Sequence, residues 1–285
     1  MSGADYFDDA AAINAFMDSK VRIDRAKAQT EHSEIREHLQ KAGVKVVQVE
    51  PPKDCQDGIY TANWALVRGD KAVLSTLPNA RKGEEDYAEQ VLRDLGKTTY
   101  KVPNGTHFSG QGDALPCGNY LFVGYGYRTE LPAHEFVAIT LGYEVISLQT
   151  TPKRSFFGHG KPVINKASGW PDSFFYDIDL ALAVLRPPKP KQKGLIAWCP
   201  DAFMPESQAL LRNFEAVEKI EISLHEAKDA FACNLVSTGN TIIMTARAPL
   251  FQAELKSRGF KVVTSDIGEL AKGGGYIRCT TLTLD

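Results

Sequence analysis

The most constraining feature of this 285-residue sequence is a repeating order of two strand-like runs, a helical segment and another strand-like run. Short apolar runs predict the strands, and helical periods that often end at glycine predict the segments between them. Comparable helices recur roughly every 50 residues, a spacing typical of repeat architectures. The order predicts an α/β fold, either a doubly wound sheet or a ring of similar units around a centre. The clearest predicted strands are 44–49, 64–67, 72–77, 120–123, 144–148, 195–198, 234–236, 241–244 and 261–264, and the clearest helices are 28–43, 84–95, 133–141, 207–213 and 248–257.

The bulk properties fit an ordinary globular protein. Apolar residues make up 43% and charged residues 24%. A chain of this length buries enough apolar surface to fold without disulfides or structural metals. The basic, proline-rich segment 187–193 is predicted to be an exposed loop, because strand signals resume directly after it. We therefore expect a single domain over residues 1–285.

Charge and hydropathy exclude several classes of partner. The formal net charge of -2 argues against nucleic acid, whose binding proteins usually carry a basic excess. No run approaches the ~18 apolar residues that a membrane span needs. The acidic N-terminus lacks the basic and apolar regions of a secretory signal. The sequence leaves the oligomeric state open, and a homo-oligomer is compatible with it.

The five cysteines predict free thiols in a reducing cytoplasm. Their count is odd and no CxxC pair occurs, so neither a disulfide framework nor a structural zinc site is expected. No His, Cys and carboxylate cluster has metal-ligand spacing, and neither G-x-G-x-x-G nor a P-loop is present. We expect no metal and no cofactor. The cysteines are Cys55, Cys117, Cys199, Cys233 and Cys279.

Two segments combine glycines with reactive side chains. The run 273–275 is Gly-Gly-Gly and precedes Cys279, so the backbone there can approach a ligand closely. On these residues alone, a flexible turn into a C-terminal strand with a half-buried cysteine is the better interpretation. In 107–115, an extended chain would place His107, Ser109 and Asp113 on one face, and the alternative is a glycine-rich loop with a capping aspartate.

Three further segments carry polar groups in apolar surroundings. Asp177 and Asp179 would repel each other on a strand, and the alternative is a helix start capped by one of them. Arg128 follows a glycine-rich strand and is suited to a bidentate grip on a carboxylate. Asp57 and Asn63 frame the polar strand entry DGIYTANW. Each of these signals is weak alone.

Taken in order, these segments resemble the amidinotransferase superfamily, whose fold is called the pentein. The superfamily includes dimethylarginine dimethylaminohydrolases, arginine deiminases and arginine dihydrolases. The opening DYFDDAAAINAFMD also resembles the dihydrolase and dimethylargininase-like branch, so the likeness runs from Asp5 to Leu284. It implies a ring of five ββαβ units around a central site. It also implies that a cysteine thiolate attacks the guanidinium carbon of arginine or an N-methylarginine, with water hydrolysing the thiouronium intermediate.

The resemblance assigns roles position by position. The assignments concern the nucleophile, the catalytic motif, the guanidinium, the substrate carboxylate and the motifs that frame them. They are Cys279 as the nucleophile, Asp113 as a carboxylate on the guanidinium, Asp179 as the aspartate of a His-x-Asp motif, Arg128 as the grip on the α-carboxylate, Asn63 and Asp57 in a D-x-x-(F/Y)-T-A-N motif, and Asn14 in the dihydrolase-like opening.

Two positions depart from the family pattern. The family reads Phe-Glu-Gly where this chain has Phe108-Ser109-Gly110, so the guanidinium-binding glutamate is replaced by Ser109. The family reads His-x-Asp where this chain has Asp177-Ile178-Asp179, so the general acid/base histidine is replaced by Asp177. A histidine in that role contributes roughly 10²–10⁴-fold in rate. An extra carboxylate near Cys279 also opposes thiolate formation.

Several outcomes remain open at this point. The chain is a hydrolase with rearranged roles, in which Asp177 replaces the glutamate and His107 or His159 replaces the histidine, or it only binds arginine-like ligands or a protein partner. A change engineered to trap a complex, or an amidinotransferase that passes the amidino group to another amine, would also fit. We expect weak or absent hydrolysis.

Overall fold

The computed structural model describes residues 1–8, 11–18, 20–154, 161–266 and 268–284. These residues form seven α-helices and twelve strands, joined by short turns. The helices are α1 (Arg25–Lys41), α2 (Gly83–Asp94), α3 (Leu131–Leu141), α4 (Pro205–Asn213), α5 (Leu224–Asp229), α6 (Pro249–Ser257) and α7 (Gly268–Lys272). The strands are β1 (Ala65–Arg68), β2 (Lys71–Leu74), β3 (Thr98–Lys101), β4 (Ala114–Cys117), β5 (Tyr120–Gly124), β6 (Glu144–Leu148), β7 (Leu182–Arg186), β8 (Gly194–Trp198), β9 (Val217–Glu221), β10 (Val236–Ser237), β11 (Thr241–Thr245) and β12 (Lys261–Ser265).

The strands form four small sheets with one shared topology. In each sheet the first strand is antiparallel to the second, and the third is parallel to the second. A helix crosses between the second and third strands, as a parallel connection requires. The repeated unit predicted from the sequence is therefore confirmed as ββαβ. The strands are short, with at most five residues each.

The amino-terminal segment lies between the fourth unit and the first. Helix α1 packs on α7 and β12 on one side. On its other side the hydroxyl of Tyr87 in α2 donates to the carbonyl of Glu50. The strand predicted over 44–49 is wrong, because only Val49 pairs, in a single parallel bridge with Ser2. Ser2 is followed almost at once by a turn, so the ladder has no second rung.

The first strands of the second, third and fourth units lie next to one another, and β1 contacts the 3₁₀ turn that precedes β4. Strand β4 contacts β7, and β7 contacts β10. The largest apolar cluster includes side chains of β7 and β8, such as Leu182 and Trp198, together with Phe122 of β5. The chain that immediately precedes each first strand is therefore brought towards the others, and the candidate site lies in those preceding segments.

The predicted extension of 107–115 is wrong at its centre. Gly110–Gly112 form a 3₁₀ turn instead, and β4 begins only at Ala114. Gly110 has a positive φ of 62°, and a Cβ there would lie 2.9 Å from the carbonyl oxygen of Ala62. Only glycine fits such an approach. The alternating face proposed for His107, Ser109 and Asp113 is therefore broken, and the glycine-rich loop is the arrangement observed.

The carboxyl-terminal segment also differs from expectation. Residues 277–280 form a turn rather than a strand, and Cys279 is 2% exposed rather than half-buried. Ile178–Leu180 form another 3₁₀ turn that leads into β7. Asp177 precedes that turn, but its side chain makes no capping hydrogen bond, so the helix-cap interpretation is wrong.

Candidate active site

Each regular unit places a polar side chain within three residues of the start of its first strand. Because those strands are neighbours, the polar side chains meet at one end of them. Three of the four follow or lie within 3₁₀ turns, in which the short hydrogen-bonded loop fixes the direction of the side chain. They are Asn63 before β1, Asp113 before β4, Asp179 before β7 and Asn234 before β10.

Cys279 makes its contacts with two of these residues. Its Sγ donates to Oδ2 of Asp179 at 3.4 Å and accepts from Nδ2 of Asn234 at 3.2 Å. The backbone N–H of Cys279 donates to Oδ1 of the same asparagine at 3.2 Å. Burial, and then the Asp179 carboxylate, raise the pKa of the Cys279 thiol well above its ordinary value. The free protein therefore holds a neutral thiol, and a bound cation would favour its ionisation.

Asp177 is a fully buried carboxylate whose two oxygens are both occupied. Ser109 Oγ donates to Oδ1 at 2.7 Å, and Asn63 Nδ2 donates to Oδ2 at 2.8 Å. The guanidinium of Arg128 lies 3.6 Å from Oδ2. Hydrogen bonds and a nearby cation are what a buried carboxylate requires. Asp177 and Ser109 thus form a satisfied pair at the two positions that depart from the family pattern.

Asp113 and Asp179 are less completely compensated. The N–H of Ile178 donates to Asp113 Oδ1 at 2.9 Å, yet burial and the neighbouring Asp177 raise the pKa of Asp113 well above its ordinary value. Burial, and then the charge of Asp177, raise the pKa of Asp179 to about 8. Its Oδ1 has no hydrogen-bond partner among the described residues.

The raised pKa of Asp179 has a consequence for stability. A carboxyl that binds its proton more tightly in the folded state stabilises that state below the unfolded pKa. This contribution is lost as the pH rises from about 4, the usual value for aspartate, through about 8. A cationic ligand would offset this loss of stability at high pH, because it stabilises the ionised form of Asp179.

A buried ion pair holds Asn63 in place. Arg81 NH1 donates to Asn63 Oδ1 at 2.9 Å, and Arg81 NH2 pairs with Glu84 Oε2 at 2.7 Å. The same guanidinium donates to the carbonyl oxygens of Asp57 and Tyr60. The Asp57 side chain accepts from Gln56 at 3.0 Å, and burial raises its pKa to about 6. Asp57 therefore contacts Gln56 and Arg81, and it belongs to the buried network that holds Asn63.

Asn14 and Arg128 connect the amino-terminal segment to the site. Asn14 Nδ2 donates to the carbonyl of Gly273 at 2.9 Å, within the glycine run that precedes Cys279. A Cβ at Gly274 would lie 2.4 Å from Asn14 Oδ1, so this close approach needs glycine. The Arg128 guanidinium stacks on the ring of Tyr176 at 4.0 Å.

The structure does not bring His107 to Cys279. The His107 ring packs on Trp170 with centroids 4.3 Å apart, and its Nδ1 lies 3.8 Å from Glu130. His159 lies outside the described residues. Among the described residues, no histidine contacts Cys279 through a hydrogen bond.

Sequence reasoning missed two residues of this arrangement. Asn234 carries the amide that contacts the thiol, and Arg81 positions Asn63. The signal for Asn234 was a polar residue directly before a short apolar strand, the same position that Asn63 and Asp113 occupy in their units. Arg81 could have been found from its spacing of three residues to Glu84, which places both on one side of a helical turn.

Comparisons with known proteins agree with the fold. The sequence profile of the family described as N,N dimethylarginine dimethylhydrolase, eukaryotic, matches residues 5–165. The N(G),N(G)-dimethylarginine dimethylaminohydrolase of Mycobacterium tuberculosis is 32% identical over 283 residues, which are 98% of this chain and 83% of that protein. The chain belongs to the dimethylarginine dimethylaminohydrolase family. The predicted membership and the pentein fold are confirmed.

The chain is also similar to two arginine dihydrolases. The chain is 31% identical over 286 residues to the bifunctional arginine dihydrolase/ornithine cyclodeaminase AgrE of Nostoc sp., covering 99% of this chain but only 37% of that protein. A crystal structure of the N-terminal domain of ArgZ bound to substrate, an arginine dihydrolase from cyanobacteria, superposes with a TM-score of 0.84 and 28% identity. That match covers 99% of this chain and 96% of the other.

No group of three or more histidine, cysteine or carboxylate side chains is arranged to hold a metal ion in the described part of the chain. Within the same ranges, no helix has the length and apolar character that crossing a bilayer requires.

Proposed function

We propose that this family member is a cysteine-dependent hydrolase that acts on the guanidinium group of arginine or an N-methylarginine. The observation that carries the proposal is the buried thiol of Cys279, 3.4 Å from Asp179. Asp113 and Asp177 are buried beside that aspartate. Three buried carboxylates in one cluster attract a cation strongly, and a flat guanidinium offers several donors to carboxylate oxygens.

Asp113 and Asp179 are the carboxylates best suited to the bound cation. Their pKa values are raised, Asp179 retains an unpaired oxygen, and a guanidinium beside them would supply the missing charge. Asp177 is already bonded by Ser109 and Asn63. We therefore assign Asp177 to the support of Arg128, whose guanidinium would then face the substrate carboxylate.

Asp179 is also the best-placed proton carrier. On cation binding it ionises and accepts the proton of the Cys279 thiol, and the thiolate forms a bond to the guanidinium carbon. Asp179 then gives that proton to the departing amine. Water attacks the thiouronium carbon as Asp179 takes one of its protons, and Asp179 returns that proton to the sulfur when the C–S bond breaks. The remaining hydroxyl proton passes to the released amine, which leaves a ureido product and a neutral thiol. A carboxylate in place of histidine makes these steps slow.

A second candidate function is binding without turnover. It is favoured by the raised pKa of Cys279 and by the lack of a histidine bonded to it among the described residues. In that case the site binds arginine-like ligands but does not hydrolyse them.

Five free cysteines support a reducing location for either function, and we place the protein in the cytoplasm as a single domain spanning 1–285.

Product analysis tests the proposal directly. The protein is incubated with L-arginine and with asymmetric dimethylarginine, and citrulline, ornithine, ammonia and dimethylamine are quantified. We expect slow product formation that is lost in Cys279→Ser and kept in Cys55→Ser, since Cys55 is not part of the cluster. Binding without product supports the second candidate, and no binding overturns both. Amidino transfer to an added amine indicates a transferase instead.

A thiol probe gives an independent readout. A chloroacetamidine reagent carries a cation beside its electrophilic carbon, so we expect it to label Cys279 in preference to the other four cysteines. Saturating arginine should protect that thiol. Equal labelling of Cys279 and Cys55, or no protection by arginine, would argue against the assigned site.

Arginine affinity is expected to rise with pH. The guanidinium stays charged throughout, whereas Asp179 must lose a proton to receive it, and its pKa is about 8. Below that value the affinity should change by up to about tenfold per pH unit, and it should level off above it. Calorimetric titrations from about pH 6 to pH 9 measure this, and Asp179→Asn should flatten the slope. A pH-independent affinity in the unmodified protein contradicts the assignment.

Asn234→Ala is expected to slow alkylation of Cys279 by iodoacetamide about tenfold or more. A hydrogen bond to a charged group contributes about 1.5–3 kcal/mol, and the amide of Asn234 stabilises the thiolate. The inflection of the rate against pH should move to higher pH, which a purely structural role would not cause. Asn213→Ala on the distant helix α4 is the matched control. An unchanged inflection would remove Asn234 from the positioning of the thiolate.

A further inference from the structure

A cavity lies along the first strands and adjoins the candidate site. Its volume is about 910 Å³, and it is lined by β4, β7 and β10 and by the turns that follow them. The candidate site uses the residues that precede these strands, whereas the cavity runs from Asp179 along the strands to the turns that follow them. We call it the strand-end cleft. Asp179 and Arg278 line it, and both adjoin Cys279.

The lining of the strand-end cleft is strongly cationic. Four basic side chains face it against one carboxylate, that of Asp179, whose raised pKa leaves it largely protonated at neutral pH. None of the four basic side chains is within 4.0 Å of a carboxylate oxygen in the described ranges. They are Arg68, Arg186, Lys189 and Arg278.

The contacts of these side chains are with neutral groups, and Arg68 and Arg186 lie over the rings of Tyr143 and Phe260. Arg278 donates to the neutral acceptors Gln111 and Thr281. Arg68 donates to the carbonyl oxygens of Leu141 and Gly142. The buried Nε of Arg186 has no hydrogen-bond partner among the described residues. A buried, unpaired donor on a cation is costly unless a ligand satisfies it.

We propose that the strand-end cleft binds a small multivalent anion of the carboxylate or phosphate class. Guanidinium groups present planar pairs of donors that match both kinds of anion. The volume exceeds what one inorganic ion fills, so an organic anion fits, and the exposed side chain of Asn240 in the lining can bond its uncharged groups. The anion would lie on the opposite side of Asp179 from the thiol.

Such an anion would act on Cys279 through two neighbours. Arg278 is the adjacent residue in the chain, and Asp179 accepts from the Cys279 thiol. A negative charge close to both opposes ionisation of the thiol and of the carboxyl. The cleft is therefore a regulatory site, at which an anionic metabolite slows the chemistry of the thiol without occupying the guanidinium site.

Binding of defined anions tests this proposal. Citrate and inorganic phosphate are titrated by calorimetry at constant ionic strength, with sodium chloride as the balancing salt. We expect saturable binding that weakens about tenfold or more in Arg186→Gln/Lys189→Gln, because two of the four cations are lost. The matched control is Lys256→Gln/Arg258→Gln at the end of helix α6, which should bind as the unmodified protein does. The stronger of the two anions identifies the chemical class.

A second readout separates the cleft from the surface and from the guanidinium site. Saturating citrate or phosphate should slow iodoacetamide alkylation of Cys279 several-fold in the unmodified protein and the control variant, and not in the cleft variant. Unsaturable binding, or equal weakening in both double variants, would overturn the proposal. Arginine binding is measured in the same samples, and its retention in the cleft variant shows that the guanidinium site is unaffected.

Discussion

Exchanging Ser109 and Asp177 together, for glutamate and histidine, is expected to raise the turnover of arginine by about 10²- to 10⁴-fold. Histidine at 177 would supply an acid and base that titrates near neutral pH, which the carboxylate cannot. Glutamate at 109 would return the negative charge that Asp177 now provides beside Arg128. The net charge of the cluster is nearly preserved, because one carboxylate moves from one position to its neighbour.

The two changes should succeed only together. Ser109 Oγ lies 2.7 Å from Asp177 Oδ1, so Ser109→Glu alone would force two buried carboxylates into contact. Asp177→His alone would leave Arg128 without its buried counter-ion. We expect each single variant to melt at a lower temperature and to bind arginine more weakly than the unmodified protein. A coupling energy of about 0.5–3 kcal/mol between the two positions is expected.

Turnover of the single and double variants, together with their melting temperatures, completes the test. Both introduced side chains are larger than those they replace, and the cluster is buried, so the melting curves show whether a variant is folded. A folded double variant that binds arginine but is no faster than the unmodified protein would refute the roles assigned to 109 and 177. Additive effects of the two changes would refute their direct interaction.

Glu84→Gln is expected to lower the free energy of unfolding by about 3–5 kcal/mol. Glu84 and Arg81 form an ion pair in which the side chains are only 1% and 2% exposed, and Glu84 also accepts from the indole of Trp64. Removing one charge leaves the Arg81 guanidinium buried without a counter-ion. Because Arg81 donates to Asn63, the variant should also bind arginine more weakly.

The matched control is an ion pair at the surface. Lys41 and Glu37 are 72% and 57% exposed, so Glu37→Gln should change stability by less than about 1 kcal/mol. Urea unfolding of both variants measures the difference. A loss below 1 kcal/mol in Glu84→Gln would show that the buried pair is dispensable, and that Asn63 is held by its other contacts.

Much of the fold was predictable because its signals are local. Helices such as α3 are bounded by residues with strong local preferences, and Gly142 ends that helix with a φ of 71°. The regular ββαβ order followed from the spacing of such segments. The turn at Gly110–Gly112 was not predictable, because it depends on the close approach of Gly110 to the carbonyls of Ala62 and Ala65, which lie in another unit.

The candidate site was predictable where its residues belong to recognisable sequence motifs. Asn63, Ser109 and Asp177 were singled out from short motifs, and the structure brings their side chains within hydrogen-bond distance of one another. His107 was placed by assuming an extended chain, and that assumption failed at the glycine turn. Asn234 was missed because its signal, a single polar residue before a short apolar strand, belongs to no motif, and its contact with Cys279 forms only after distant parts of the chain meet.

The contact between Asn14 and Gly273 joins residues 259 apart in the sequence, and that between Cys279 and Asp179 joins residues 100 apart. Contacts of such long range form late and slowly during folding. A partly folded chain would therefore leave the Cys279 sulfur in water, with the reactivity of an ordinary thiol. A thiol reagent added to refolding samples at successive times would modify Cys279 until its sulfur is buried. The decline in modification of Cys279 would give the half-time with which these long-range contacts form.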